Sequence, residues 1–197
     1  MRLYHVPNSS SQRVLWLLEE IGEPYDLTVL GDRASRLADP EHMARHPMGR
    51  VPVVENDGEF IFESAAICLQ IADSYPSAGL IPPLGTQERG LVYQWSLFAI
   101  TEIQAKMIQS RMFRESDPQG SETAKESLLE AARVLEKALD GHDYLVGNRF
   151  TVADILVSAT LAGVRRYDVA ELPRGLNAYL DAMDARPAKQ RAEALNT

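Results

Sequence analysis

Over roughly the first 75 residues the apolar pattern changes character every 10 to 15 positions, whereas the remainder reads as long helices separated by short polar joints. Residues 2–6 have the apolar content of a buried strand. Val14, Leu15, Leu17, Leu18 and Ile21 trace one helical face that stops at Gly22, and residues 25–30 suggest a second strand. Those pieces predict a β-α-β unit with a parallel pair and a right-handed crossover. An irregular connector rich in Arg, Asp and His follows. Next, 51–55 and 59–62 flank Asn56-Asp57-Gly58, a short hairpin signal, and a helix is expected over 64–75.

Pro76, Gly79, Pro82, Pro83 and Gly85 mark residues 76–86 as a linker. The expected division is therefore an α/β domain over 1–75 and an all-α domain over 87–197. In the latter, one helix spans 88–114 and Pro118-Gln119-Gly120 breaks it before a second. There Leu128, Ala132, Leu135 and Leu139 share a face, so the two helices can pair. Residues 140–148 form a turn-rich joint, a third helix starts near Thr151, and a fourth covers 176–185 before Pro187.

Composition narrows the function classes. A chain of 197 residues with 45% hydrophobic content and no apolar run of transmembrane length can bury a sizeable core. Its opening residues, Met1-Arg2-Leu3-Tyr4-His5, read as a strand and not as a signal peptide, so a cytoplasmic location is expected. One cysteine, Cys68, and four scattered histidines offer neither a disulfide nor zinc-ligand spacing. A net charge of −8 without a basic run argues against nucleic acid and anionic membranes as partners.

Three short segments carry candidate chemistry. Asn8-Ser9-Ser10-Ser11-Gln12-Arg13 lies between the first strand and first helix, where hydroxyls and helix N–H groups suit an anion such as a thiolate. Serines there also serve as ordinary helix caps. Gly49-Arg50-Val51-Pro52-Val53-Val54 puts a proline at the head of an apolar strand: either a trans proline opening an edge strand, or a cis bond that turns the Val51 backbone groups outward toward a peptide ligand. Glu63-Ser64, at the start of the next helix, fits the carboxylate and ammonium of an amino-acid head group, or is simply that helix's cap.

Taken together, these segments resemble the cytosolic glutathione S-transferases of the serine type, over essentially the whole chain. Residues 8–20 look like that family's first strand-to-helix segment, His46-Pro47-Met48-Gly49-Arg50-Val51-Pro52 like its cis-proline loop, and Glu63-Ser64-Ala65-Ala66-Ile67 like its γ-glutamyl site. Phe150-Thr151-Val152-Ala153-Asp154-Ile155 is similar to its buried capping box, in which Thr151 and Asp154 are structural and Phe150 with Ile155 can form a staple. The resemblance implies a thioredoxin-like first domain, a helical second domain carrying the electrophile site, and glutathione as co-substrate without a metal. It implies a detoxifying conjugation of small hydrophobic electrophiles and a homodimer. Residue by residue, Ser9 would donate to the glutathione thiolate, with Ser10 and Ser11 as rivals. Val51 would pair with the cysteinyl backbone beside a cis Pro52, and Glu63 and Ser64 would hold the γ-glutamyl head. Arg50, aided by Arg36 or His42, would face the glycyl carboxylate, and Ile103, Met107 and Met112 would line the electrophile pocket. His46 stands where many members have Asn. A glutathione-dependent isomerase or dehalogenase on the same scaffold, and a non-catalytic binding protein, are the alternatives. Cys68 reads as a buried filler.

Overall fold

The computed structural model describes residues 1–196, in two compact units: Met1–Gly79 together with the segment from Arg186, and Leu80–Ala185. In the first unit, β1 (Arg2–His5), α1 (Ser11–Ile21) and β2 (Asp26–Val29) form the β-α-β element, with β1 and β2 parallel. Strands β3 (Val53–Asn56) and β4 (Glu59–Phe62) add antiparallel partners, giving the sheet order β2-β1-β3-β4. Asn56 pairs with Glu59 across a two-residue turn, and Asp57 and Gly58 both have positive φ, 52° and 84°, as a type I′ hairpin requires. Gly22 ends α1 in the left-handed conformation and returns its N–H to the Leu18 carbonyl. Helix α4 (Ser64–Ser74) follows β4 directly.

The connector holds two short helices that the apolar pattern did not predict, α2 (Arg33–Ala38) and α3 (Pro40–Arg45). Each is under two turns, too short for a periodic signal. Their caps are local: Asp32 accepts the Ser35 N–H and Asp39 accepts the Glu41 N–H.

In the second unit, α5 (Gln87–Phe98) continues through a π-helical stretch (Ala99–Gln104) into α6 (Ala105–Phe113), so the expected single helix carries a wider turn at its middle. Helix α7 (Pro118–Ala138) packs back along α6, where Ser121 Oγ donates to the Ser110 carbonyl at 2.7 Å. Helix α8 (Val152–Arg166) is buried along most of its length and forms the axis of this unit, flanked by α5 and by α9 (Arg174–Asp184).

At the N-terminus of α8 sits the capping box. Asp154, fully buried, accepts the Thr151 N–H at 2.9 Å, the Leu145 N–H at 3.0 Å, the Thr151 hydroxyl at 3.1 Å and the Tyr179 hydroxyl at 3.0 Å. Burial pushes its pKa up, and these four donors oppose that push. Phe150 packs edge-on against Tyr144, with ring centroids 5.9 Å apart.

Beyond Asp184 the chain departs from the expected two-domain division. From Arg186 it belongs to the first unit, as α10 (Pro187–Ala194), which lies against α1. Arg186 grips Glu20 through two bonds of 2.7 and 3.0 Å, Arg191 reaches Glu19 at 2.8 Å, and Gln12 donates to Glu193 at 2.5 Å. None of the described helices is long and apolar enough to cross a membrane.

Replacing Asp154 by Ala leaves two buried N–H groups without acceptors. The expected loss, read from the urea midpoint, is about 2–6 kcal/mol, since each such orphan costs roughly 1–3 kcal/mol. A loss under about 0.5 kcal/mol would contradict a structural role for this carboxylate.

Candidate active site

The turn from β1 into α1 is held by hydroxyl groups. Ser9 Oγ donates to the Val6 carbonyl at 2.7 Å and accepts the Ser11 N–H at 3.2 Å, which makes it the local cap. Ser10, formally at the N-cap position, makes no capping bond. Its hydroxyl crosses to the Val51 carbonyl at 3.1 Å. Ser11 is fully buried: its Oγ accepts the Val6 N–H at 3.1 Å and lies 2.8 Å from His5 Nδ1 and 2.7 Å from Ser9 Oγ. Of the three candidate serines, only Ser9 and Ser10 are open enough to meet a ligand.

The Ser10 bond joins this turn to the loop before β3. There the Val51-Pro52 peptide bond is cis. Gly49, at φ +58°, lies in the left-handed region that favours glycine, and a Cβ there would press on the tip of Leu37 at 2.8 Å. Among the described residues the Val51 N–H has no backbone partner, while its carbonyl is taken by Ser10. His46 is buried and stacks on Phe62, with ring centroids 4.6 Å apart, and its Nδ1 accepts the Met48 N–H at 3.1 Å. It holds the loop from inside.

The third segment opens α4. Glu63 is exposed and has φ 74° and ψ 109°, an uncommon conformation for a residue with a side chain, of the kind that collects at functional sites. Ser64 is buried, and Arg13 Nη1 donates to its Oγ at 2.9 Å. That bond uses a lone pair of Ser64 and leaves its hydroxyl proton to be given outward. Burial lowers the Arg13 pKa to about 10, with Cys68 and Glu63 opposing, so the guanidinium is still a cation at neutral pH. Arg13 was not singled out by the sequence as a site residue. Its signal is a lone cation on a helix whose following residues, Val14 to Leu18, are all apolar.

Arg50 is exposed, as a cation for a ligand carboxylate must be. Arg36 and His42, its proposed helpers, serve the connector instead. Arg36 donates through Nε to the Gly49 carbonyl at 3.2 Å and through Nη1 to the Gly31 carbonyl at 2.5 Å, and His42 is fully buried with Nε2 3.1 Å from the Arg50 carbonyl. In the helical unit, Ile103 is fully buried, and Met107 is nearly so, its sulfur 3.1 Å from where a Cβ on Gly163 would lie. Both are core packing, as helical spacing alone allowed. Met112 is 72% exposed, and Ile108, one turn before it, is exposed as well. Cys68 is buried on α4, and that burial pushes its thiol up to about 12 against the pull of Arg13. Among the described residues no cluster of three or more His, Cys, Asp or Glu side chains is placed to hold a metal.

Known proteins resemble this chain along most of its length. Residues 1–73 match the model of the glutathione S-transferase N-terminal domain, and residues 86–187 match that of the C-terminal domain. The chain is 27% identical to glutathione S-transferase GstA of Escherichia coli O157:H7, over 98% of this chain and 96% of the relative. It is 29% identical to a maleylacetoacetate isomerase of Rhizobium meliloti (strain 1021), over 82% of this chain and 80% of the relative. Among solved structures, a ternary complex of BphK, a bacterial GST, superposes with a TM-score of 0.90 at 27% identity, covering 100% of this chain and 99% of that one. A sphingomonad glutathione S-transferase complexed with glutathione gives 0.87 at 28% identity, covering 100% and 98%.

A thiol held near 12 and shielded from solvent does not react while the protein is folded. Cys68 is expected to consume an aromatic disulfide reagent only after denaturation, and prompt labelling of the native chain would show that α4 opens locally.

Proposed function

The chain belongs to the glutathione S-transferase family, and from that we propose that Ser9, Val51 with Pro52, and Glu63 with Ser64 grip one glutathione and leave its sulfur facing the Ser9 hydroxyl. The observation that carries this reading is the pair of cross-segment bonds, Ser10 to Val51 and Arg13 to Ser64. They tie the starts of α1 and α4 and the cis-proline loop into one cradle. Glutathione is the co-substrate. Its γ-glutamyl carboxylate takes the Ser64 hydroxyl and the first N–H groups of α4, and Glu63 faces the ammonium. The Val51 N–H pairs with the cysteinyl backbone, and Arg50 meets the glycyl carboxylate.

The chemistry required of the protein is activation of a thiol. A thiol resembling free cysteine titrates near about 8.5, so little is anionic at neutral pH. Lowering that by about two units corresponds to about 2.7 kcal/mol of preference for the anion. A hydroxyl donor at a helix N-terminus supplies both a charge-assisted hydrogen bond and a favourable dipole. The thiolate then attacks the carbon of an activated aryl halide: the sulfur–carbon bond forms, the carbon–halogen bond breaks, and halide leaves.

For the electrophile we propose small apolar molecules met by Ile108 and Met112, an exposed apolar strip on α6. The likeness to a maleylacetoacetate isomerase favours a second reading, glutathione-assisted isomerisation, whose product retains no glutathione. We also propose a cytoplasmic homodimer. The short edge strand β4 presents Phe60 and Phe62 to solvent, and such an edge calls for a cover.

Two measurements bear on this. Ser9→Ala is expected to cut kcat/KM for glutathione and an activated aryl halide by roughly tenfold or more, with glutathione binding retained in calorimetry. Full activity in Ser9→Ala together with loss in Ser10→Ala would transfer the donor role to Ser10. In sedimentation velocity the unaltered chain is expected to run as a dimer and Phe60→Glu to shift it toward monomer, whereas a monomeric unaltered chain removes the dimer from the proposal.

A further inference from the structure

His5 is fully buried on β1, beneath the serine turn, and its two ring nitrogens have different surroundings. Nδ1 lies 2.8 Å from Ser11 Oγ. Nε2 makes no hydrogen bond of good geometry to a described residue. Burial lowers the pKa of this histidine, and a weak hydrogen bond with the Asn196 side chain opposes that shift without reversing it, so the ring is neutral and carries a single N–H. That proton has two possible homes. On Nε2 it would meet at best the Asn196 amide oxygen, in poor geometry and already accepting the Asn8 N–H at 3.1 Å, whereas on Nδ1 it has a close acceptor, Ser11 Oγ at 2.8 Å.

With the proton on Nδ1, the direction of each bond follows. Ser11 Oγ accepts from His5 Nδ1 and from the Val6 N–H at 3.1 Å, which fills both of its lone pairs. Its own proton is left to donate, and Ser9 Oγ at 2.7 Å is nearer than the Val6 carbonyl at 3.2 Å. Ser9 Oγ then accepts from Ser11 Oγ and from the Ser11 N–H at 3.2 Å, so it too has both lone pairs occupied. Only its proton remains, resting on the Val6 carbonyl at 2.7 Å.

We propose that His5, through Ser11, forms a one-way hydrogen-bond relay that makes the Ser9 hydroxyl an obligate donor, poised to turn from the Val6 carbonyl to a bound thiolate. His5 and Ser11 are thus positioning residues for the activation step. The relay rests on Ser9 being the sulfur's donor. A serine without such support can meet a ligand as donor or acceptor and gains little by preferring the anion. With its lone pairs filled, Ser9 favours thiolate over thiol, and each donor behind it polarises its proton further.

The relay is tested in three ways. Nitrogen-correlated NMR of the ligand-free protein should show His5 as the Nδ1–H tautomer, and an Nε2–H tautomer would reverse the chain and overturn the proposal. Titration of the thiolate absorbance of bound glutathione should show its pKa raised by about 0.5–1 unit in His5→Leu, with kcat at neutral pH down roughly three- to tenfold and KM for glutathione within about twofold. His5→Asn, whose amide nitrogen can donate from the Nδ1 position, should restore most of both, while equal losses in the two variants would reduce His5 to packing. In a Ser9→Ala background, His5→Leu should change kcat no further, and additive losses would break the coupling. Failure of the unaltered chain to bind glutathione in calorimetry overturns the function and the relay together. Retained binding with an unchanged thiol pKa in His5→Leu overturns the relay alone.

Discussion

Helix α1 is buried along eight consecutive residues, Ser11 to Leu18, and everything at the site hangs from that fact. A helix hydrophobic on one stripe needs one cover, whereas a helix buried all round needs covers on every side. Here β1 and α4 pack against it, and α10 returns from the far end of the chain to lie along it as well. Trp16 shows how tightly the last contact is made. Its ring lies under the Lys189 ammonium at 5.3 Å, and its Nε1 donates to Glu20, the same carboxylate that Arg186 grips. Fixed in this way, α1 sets where the residues at its start stand: Ser9 and Ser10 just before it, and Arg13 in its first turn.

Two buried charges are held in different ways. Asp154 is surrounded by four donors from three segments, all of them inside the helical unit, and its oxygens have little left to offer. Such a carboxylate fixes a local arrangement. Arg13 donates to Ser64, the first residue of α4, and so occupies a lone pair of that hydroxyl while leaving its proton uncommitted to the guanidinium. Both the cation and the serine are buried, so the pair links α1 to α4 from inside.

Much of this was legible in the sequence because it rests on local rules. The Asp57-Gly58 turn, the Gly22 stop and the Thr151–Asp154 box each need only a few neighbouring residues, and each lies where its residues place it. Elements without a period were not legible. Helices α2 and α3 are too short for a face to repeat, and α10 buries only Ala188, Lys189 and Ala192, so no apolar stripe announces that it packs on α1. Ile103 and Met107 mark a different limit. An apolar residue on a long helix reads the same whether it faces a ligand or a neighbouring helix, and only packing puts both in the core while leaving Met112 outside.

The three serines carry the same lesson at atomic scale. In sequence they are equivalent, and each is a plausible cap or donor. What divides them is the arithmetic of a hydroxyl group, one proton and two lone pairs, applied to the backbone around it. Ser11 spends its lone pairs on the Val6 N–H and His5, inside the protein. Ser10 gives its proton to Val51 and so fixes the distance between two loops. Ser9 gives its proton to the carbonyl of its own turn, tying no second loop, and a thiolate can outbid that acceptor because it carries a full charge and the Val6 oxygen only part of one. Three adjacent identical residues are therefore not redundancy: Ser11 is spent inside the protein, Ser10 anchors the neighbouring loop, and Ser9 both caps the turn and keeps a proton that can be turned elsewhere.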